Sequence, residues 1–273
     1  MPLKVYTQNM NEQVRAPRRI KAAHSKLLTQ KLLRAGVLTP AKLIQAPTKI
    51  KSTDRPYAPI VVSSYSQPAA QLSSARSGVL VFCSFTKPGG GWENGAVAQE
   101  EDISLQSSWG IQAQEAQPGF YQTKGDNDGL GSDCVLMAEG VWFSDSNGRP
   151  LIKPQPVVFA GVAAPNRKSP HLHASPNIQI DHLARRLTAA LDAWSQMGVD
   201  RVVLGAIGCG VFAWPGEESA YALRQALGAS VWKGELVLAM PDAKLAAIFK
   251  TVLSADHPPH PCPPQKTLKK SKQ

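Results

Sequence analysis

Between Val79 and Leu253, apolar runs of strand length alternate with amphipathic runs of helix length, and this alternation constrains the fold more than any other feature. Val79–Phe85, Val135–Phe143, Pro156–Ala164, Arg201–Ala206 and Glu235–Met240 each read as a strand, being short, apolar and bounded by turn-forming residues. Asp181 is the expected N-cap of a helix carrying Leu183, Leu187, Leu191 and Trp194, with Gly198 just past its end. Glu217–Leu227 and Ala243–Leu253 read as two further helices. Strands that alternate with helices bury a sheet between helical layers, so the fold class is α/β. Upstream, Pro17 to Ala35 predicts a basic helix with Ile20, Ala23, Leu27, Leu28 and Leu32 on one side, stopped by Gly36. A loop rich in Pro, Ser and Thr is expected from there to about Ser74. Glu100–Ser108 reads as a short helix and Gly119–Asp133 as a polar surface loop.

Charge divides the 273 residues into three parts. Residues 1–56 carry 12 Lys and Arg against 2 acids, residues 257–273 carry 4 lysines and no acid, and the intervening body has 14 bases against 18 acids. The net charge of +10 therefore resides in the ends. The expected organisation is a basic, partly helical extension over 1–56, a catalytic domain over 57–256 and a disordered Pro- and Lys-rich tail over 257–273. Basic ends of this kind attract polyanions weakly through counterion release. No apolar run reaches the roughly 18–20 residues that span a bilayer, and Met1–Arg19 lacks the apolar segment of a secretory signal. Four scattered cysteines without a Cys-x-x-Cys pair suit a reducing compartment rather than a disulfide frame or zinc site. An intracellular, cytoplasmic protein without a membrane partner is expected, nuclear if the source is eukaryotic.

Chemistry concentrates in residues 89–101, where Gly89-Gly90-Gly91 is followed after seven residues by Gln99-Glu100-Glu101. Three glycines let a backbone approach a bulky or anionic ligand closely. A carboxyl held beside them protonates a leaving group if burial raises its pKa. On local grounds Glu100, Glu101 and Asp102 equally suit the acidic first turn of a helix, favoured by its dipole. A second glycine-rich stretch, Gly205-Ala206-Ile207-Gly208-Cys209-Gly210-Val211-Phe212, follows an apolar strand and offers converging backbone N–H groups to a diphosphate. Its Gly-x-x-Gly-x-Gly order does not fit a dinucleotide-binding fingerprint.

With the flanks Val79–Phe82 and Lys87-Pro88, the first motif closely resembles the signature of the microbial-type poly(ADP-ribose) glycohydrolases. The second resembles that family's diphosphate-binding loop, and together the likeness covers roughly residues 57–253. It implies a macrodomain-like three-layer α/β/α sandwich with a mixed sheet, to which the N-terminal helix is an extension. It further implies Glu101 as catalytic acid, Glu100 as its substrate-orienting neighbour and Gln99 as a loop-fixing residue. Ser84, Gly89, Gly90, Gly91, Asn94, Gln99, Gly208, Cys209, Gly210, Val211 and Phe212 are the expected substrate-binding residues, with Phe212 against the terminal ribose. Many relatives have Asn at the position of Ser84, and a hydroxyl lacks the reach of an amide. Successive side chains diverge on a regular backbone, so Glu100 and Glu101 need not form a tight pair.

The resemblance implies a metal- and cofactor-independent monomer that releases ADP-ribose from poly(ADP-ribose) or acts on other ADP-ribosylated macromolecules. A mono-ADP-ribosyl hydrolase, a non-catalytic ADP-ribose reader and a nucleic-acid binder using the basic ends are the alternatives. Trp92 and Trp214 either close over substrate or pack beneath their loops. His171 and His173 read as solvated loop residues, and Cys209 as a small spacer rather than a nucleophile.

Overall fold

The computed structural model describes residues 2–53, 56–57, 59–63, 76–116, 119–121, 126–145, 149–257 and 261. The expected disorder of the tail falls almost wholly outside them. In chain order the elements are helix α1 (Pro2–Arg34), strands β1 (Lys42–Gln45), β2 (Ile60–Val62) and β3 (Ser77–Phe82), and helices α2 (Gln99–Gln106) and α3 (Trp109–Gln114). Strands β4 (Cys134–Ser144) and β5 (Pro150–Val162) precede α4 (Pro176–Gln196), β6 (Arg201–Leu204), α5 (Gly216–Ala229), β7 (Glu235–Ala239) and α6 (Ala243–Ser254).

All seven strands form one mixed sheet in the order β1-β4-β5-β3-β6-β7-β2. Strands β5, β3, β6, β7 and β2 run parallel, whereas β4 is antiparallel to both β1 and β5. Because side chains alternate across a strand, each strand feeds two cores. Leu80, Val158, Ala160, Val202 and Leu236 meet α4 and α5 on one face. Val79, Val81, Phe159, Val203 and Val237 meet Ile103 and Trp109 of α2 and α3 on the other. This is the expected three-layer α/β/α sandwich with a mixed sheet, and the inner parallel strands β3, β6 and β7 are covered on both faces as such strands require.

Four local expectations change. Helix α1 runs through Pro17 from Pro2 instead of starting there. The expected loop after Gly36 contains β1 and β2, two edge strands too short and too exposed to carry an apolar signature. Helix α4 begins at Pro176 with Ser175 at its N-cap, because proline at the first helical position presets φ and has no N–H to lose. Asp181 lies one turn inside and pairs with Arg185 four residues on. The stretch 119–133 is not simply surface loop, since Phe120 and Leu130 are buried in it.

Candidate active site

Strand β3 lies in the middle of the sheet, so its C-terminal end opens between the loops that follow β5 and β6. The chain leaves Phe82 and turns through Gly89 and Gly90, both with positive φ of +67° and +65°. Only glycine adopts that conformation without strain. Gln99 then returns the chain to β3: the Phe82 amide donates to its Oε1 at 2.8 Å, and its Nε2 donates to the Leu80 carbonyl at 2.7 Å. Its amide is thereby spent on the backbone, so the first residue of α2 is fixed against the strand end.

The two glutamates diverge in environment but converge in space. Both carboxyls reach Gly90: a Cβ added there would lie 2.5 Å from Glu101 Oε1 and 3.3 Å from Glu100 Oε2. The Gly91 amide donates to Glu101 Oε1 at 2.8 Å, and Glu101 faces the cleft only half-buried. Glu100, 4% exposed, lies beneath it. Burial first, and then the neighbouring Glu101 charge, raise the Glu100 carboxyl to about 8. Hydrogen bonds from Trp109 Nε1 (3.4 Å), the Cys83 thiol and the Ser84 amide oppose that rise without cancelling it. Burial, followed by the Glu100 charge, pushes the Cys83 thiol well above its ordinary value, so it is no nucleophile.

The facing wall is the loop after β6. Gly208, with φ +81°, sits on the Trp214 indole, where a Cβ would come within 2.7 Å. Trp214 is itself held by Nε1 donating to the Pro165 carbonyl at 2.7 Å and by the Arg167 guanidinium stacked 4.2 Å over its ring. Trp92 is equally buried, beneath Gly89 and Gly110. Of the two readings for these tryptophans, packing is the one observed. Cys209 is half-buried, and burial raises its thiol to about 11.

Between the walls lies a cleft of about 560 Å³. The structure brings Ser84, Gly90, Gly91, Gln99, Glu100, Glu101, Gly208, Gly210, Val211 and Phe212 to its lining. Gly89, Asn94 and Cys209 lie outside that lining: Gly89 packs on Trp92, Asn94 is exposed on the 3-10 turn Trp92–Asn94, and Cys209 packs against the core. Phe82, Thr86, Lys87, Ala96, Val97, Ala98 and Ala206 also line the cleft and were not among the expected substrate-binding residues. Nor was Arg18 of α1, whose Nε and Nη2 both donate to the Ala96 carbonyl (3.0 and 2.7 Å) while Nη1 pairs with Asp102 at 2.7 Å. Ser25 adds a buried bond to the Leu105 carbonyl at 2.6 Å, so α1 clamps the spacer of the motif and the helix bearing the glutamates. Among many basic residues in α1, no local signal marks Arg18.

The family model described as microbial-type PARG, catalytic domain, matches residues 4–143, a span that runs from α1 through β4 and includes the whole Gly-Gly-Gly to Gln-Glu-Glu segment. The chain belongs to the microbial-type PARG family. It is thus a glycohydrolase by family. The structure of poly(ADP-ribose) glycohydrolase from Thermomonospora curvata is similar to it at 24% identity, covering 89% of this chain and 100% of that one, with a TM-score of 0.67. The same enzyme bound to the inhibitor ADP-HPD is 26% identical, covering 88% and 98%, with a TM-score of 0.65. The enzyme from Deinococcus radiodurans in complex with ADP-ribose is 23% identical, covering 78% and 92%, with a TM-score of 0.59. No curated protein matches the chain. Among the described residues of this PARG-family chain, no helix is long and apolar enough to cross a membrane.

Proposed function

We propose that this protein releases ADP-ribose from poly(ADP-ribose), with Glu101 as general acid and Glu100 as the neighbour that keeps a proton in the pair. One observation carries the assignment of roles: two carboxyls converge on Gly90 at the floor of a glycine-walled cleft, one facing substrate and the other buried. Coupled groups titrate as a pair. With Glu100 raised to about 8, the pair retains a proton at neutral pH, and Glu101 is the member placed to deliver it.

Cleavage breaks the bond between the anomeric carbon of the terminal ribose and the oxygen of the next ribose. Glu101 gives its proton to that departing oxygen as positive charge develops on the sugar ring. Water then adds to the anomeric carbon and returns a proton to the Glu101 carboxylate, which acts as base in that half. The products are ADP-ribose and a chain one unit shorter. The backbone of 208–210 lies across the cleft from the carboxyls, where N–H groups suit a diphosphate, and Phe212 offers an apolar face to the ribose.

The test is Glu101→Gln assayed on purified polymer with the product identified by mass. Release of ADP-ribose should fall by about 10²–10⁴-fold, while calorimetric affinity for ADP-ribose stays within a few-fold of the unsubstituted protein. Undiminished turnover would remove Glu101 from the role. Parallel assays on mono- and poly-modified substrates decide between polymer and mono-ADP-ribosyl hydrolysis.

A further inference from the structure

A second cavity, of about 290 Å³, adjoins the cleft across Ser84, Thr86 and Phe212, which line both. Its own lining is Phe85, Gly129, Gly131, Asn166, Lys168, Ser169, Pro170 and His171, with no acid among the described residues. The cleft, by contrast, is lined by two carboxyls and one lysine, Lys87. The shared rim fixes which end of the cleft the cavity extends. Ser84 donates its amide to Glu100, so the second cavity opens at the carboxyl end, where the departing oxygen must lie.

This cavity is built into the fold. Arg186, fully buried, donates from Nη2 to the Leu130 carbonyl at 2.8 Å and from Nη1 to the Ala163 carbonyl at 3.0 Å. It pairs with Asp133 at 3.1 Å, and its guanidinium lies 4.7 Å from the Phe85 ring. One arginine thus secures the 130–133 side of the cavity and backs its aromatic floor. The hydroxyls of its lining are paired locally, Ser84 with Thr86 and Ser169 with the His171 amide, but three other polar groups are not. Asn166 uses Oδ1 to accept from the Lys168 amide at 3.0 Å, and its amide nitrogen has no partner among the described residues. Neither the Lys168 ammonium nor the His171 ring has a side-chain partner among the described residues.

We propose that this cavity is a subsite for the diphosphate of the ADP-ribose unit on the leaving side of the scissile bond, bound by Lys168, His171 and the Asn166 amide. The inference rests on the polymer-cleaving reading above. A substrate with a diphosphate in every unit presents its second one just beyond the bond being cut, and a cation with an amide donor is the pairing such an anion takes. The subsite makes the protein a reader of two units, holding the terminal one between the glycine walls and the next one against Lys168.

The deciding experiment is calorimetry on full-length protein carrying Glu101→Gln, titrated with ADP-ribose and with a ribose-linked dimer of ADP-ribose. The dimer should bind about tenfold more tightly than the monomer. That advantage should vanish in Lys168→Ala/His171→Ala and fall with added salt, while affinity for monomeric ADP-ribose is retained and certifies the fold. A dimer that binds no better than the monomer, or an advantage that survives the double substitution, overturns the subsite. Failure of the functional reading would register separately, as no ADP-ribose released from polymer by the unsubstituted protein, and the binding comparison would still decide what the cavity holds.

Discussion

The two walls of the cleft are both glycine-rich, yet they are constructed in opposite ways. On the carboxyl wall every glycine is hemmed in: a Cβ on Gly89 meets Trp92 at 3.0 Å, on Gly90 it meets Glu101 at 2.5 Å, and on Gly91 it meets Ala96 at 2.8 Å. Three side chains from two helices hold that wall, Gln99 of α2 to β3, Glu101 of α2 to the Gly91 amide and Arg18 of α1 to the Ala96 carbonyl. On the facing wall only Gly208 is packed. Gly210 has nothing within 4 Å of an added Cβ, and Val211 is 64% exposed. That segment is held mostly through its backbone, by Ala213 to Gly210, Trp214 to Gly208 and the Arg167 amide to the Phe212 carbonyl, with one side chain, Ser219, donating to the Ile207 carbonyl at 2.7 Å. A group that transfers a proton needs sub-ångström placement, whereas a loop that offers N–H groups to a diphosphate needs only the right backbone. The packing follows the chemistry.

The contrast makes Gly90→Ala the most damaging glycine substitution of the two cleft walls. It strains a backbone at φ +65° and displaces the Glu101 carboxyl, so kcat should fall at least ~10²-fold, within the range that general acid catalysis supplies. Stability should fall by roughly 1–3 kcal/mol, measured by urea unfolding. Wild-type turnover in that variant would show that the carboxyl wall tolerates displacement after all.

Glu100→Gln comes next, and its signature is a pH dependence. The folded-state value of about 8 lies above the ordinary 4.5, so the folded protein binds more protons than the unfolded one between those limits. Stability is therefore lost as pH rises from about 4.5 to about 8. The glutamine variant lacks that loss, and its advantage over wild type should grow through the window to a few kcal/mol near pH 8. Because the acid must be protonated, wild-type kcat/KM should also decline as pH passes about 8. A glutamine variant whose stability advantage is flat with pH would mean that Glu100 is not held protonated.

Arg18→Met keeps the stem of the side chain and removes the clamp. We expect kcat to fall by roughly tenfold and unfolding free energy by about 1 kcal/mol, the worth of a part-buried hydrogen-bonded charge. KM should change less than kcat, since Arg18 does not itself line the cleft and reaches it only through the Ala96 carbonyl; a pure KM effect would contradict a positioning role. The smallest effect belongs to Gly210→Ala. With open space and no positive φ, stability should stay level or rise by about 0.4–1 kcal/mol, and a thermal melt checks it.

Much of this was legible along the chain because it depends on neighbours in sequence. The periodicity of the Val79, Val135, Val202 and Leu236 runs marks strands, and the helices between them carry their own stripes. The motif at 89–101 reads directly because glycine freedom and a carboxyl pair are properties of residue type. Illegible were β1 and β2, whose place is decided by partners nearly a hundred and nearly two hundred residues away. Asn94 illustrates the same limit: inside the spacer, it lies exposed and outside the cleft lining, on a turn set by its amide donating to the Gly91 carbonyl and by the buried Trp92. Arg18 was hidden because one clamp among a helix of basic residues has no distinguishing neighbour.

The amino-acid order alone determined the α/β class, the family and the two loops that meet at the cleft, since all three follow from local pattern and residue chemistry. Tertiary structure alone decided which glutamate is buried. Desolvation is a sum over everything that surrounds a group, and besides the adjacent Glu101 the groups around Glu100 come from α3 (Trp109) and the turn after Phe82 (Cys83 and Ser84). The same holds for the second cavity, whose floor exists because a buried arginine on α4 reaches back more than fifty residues to the carbonyl of Leu130.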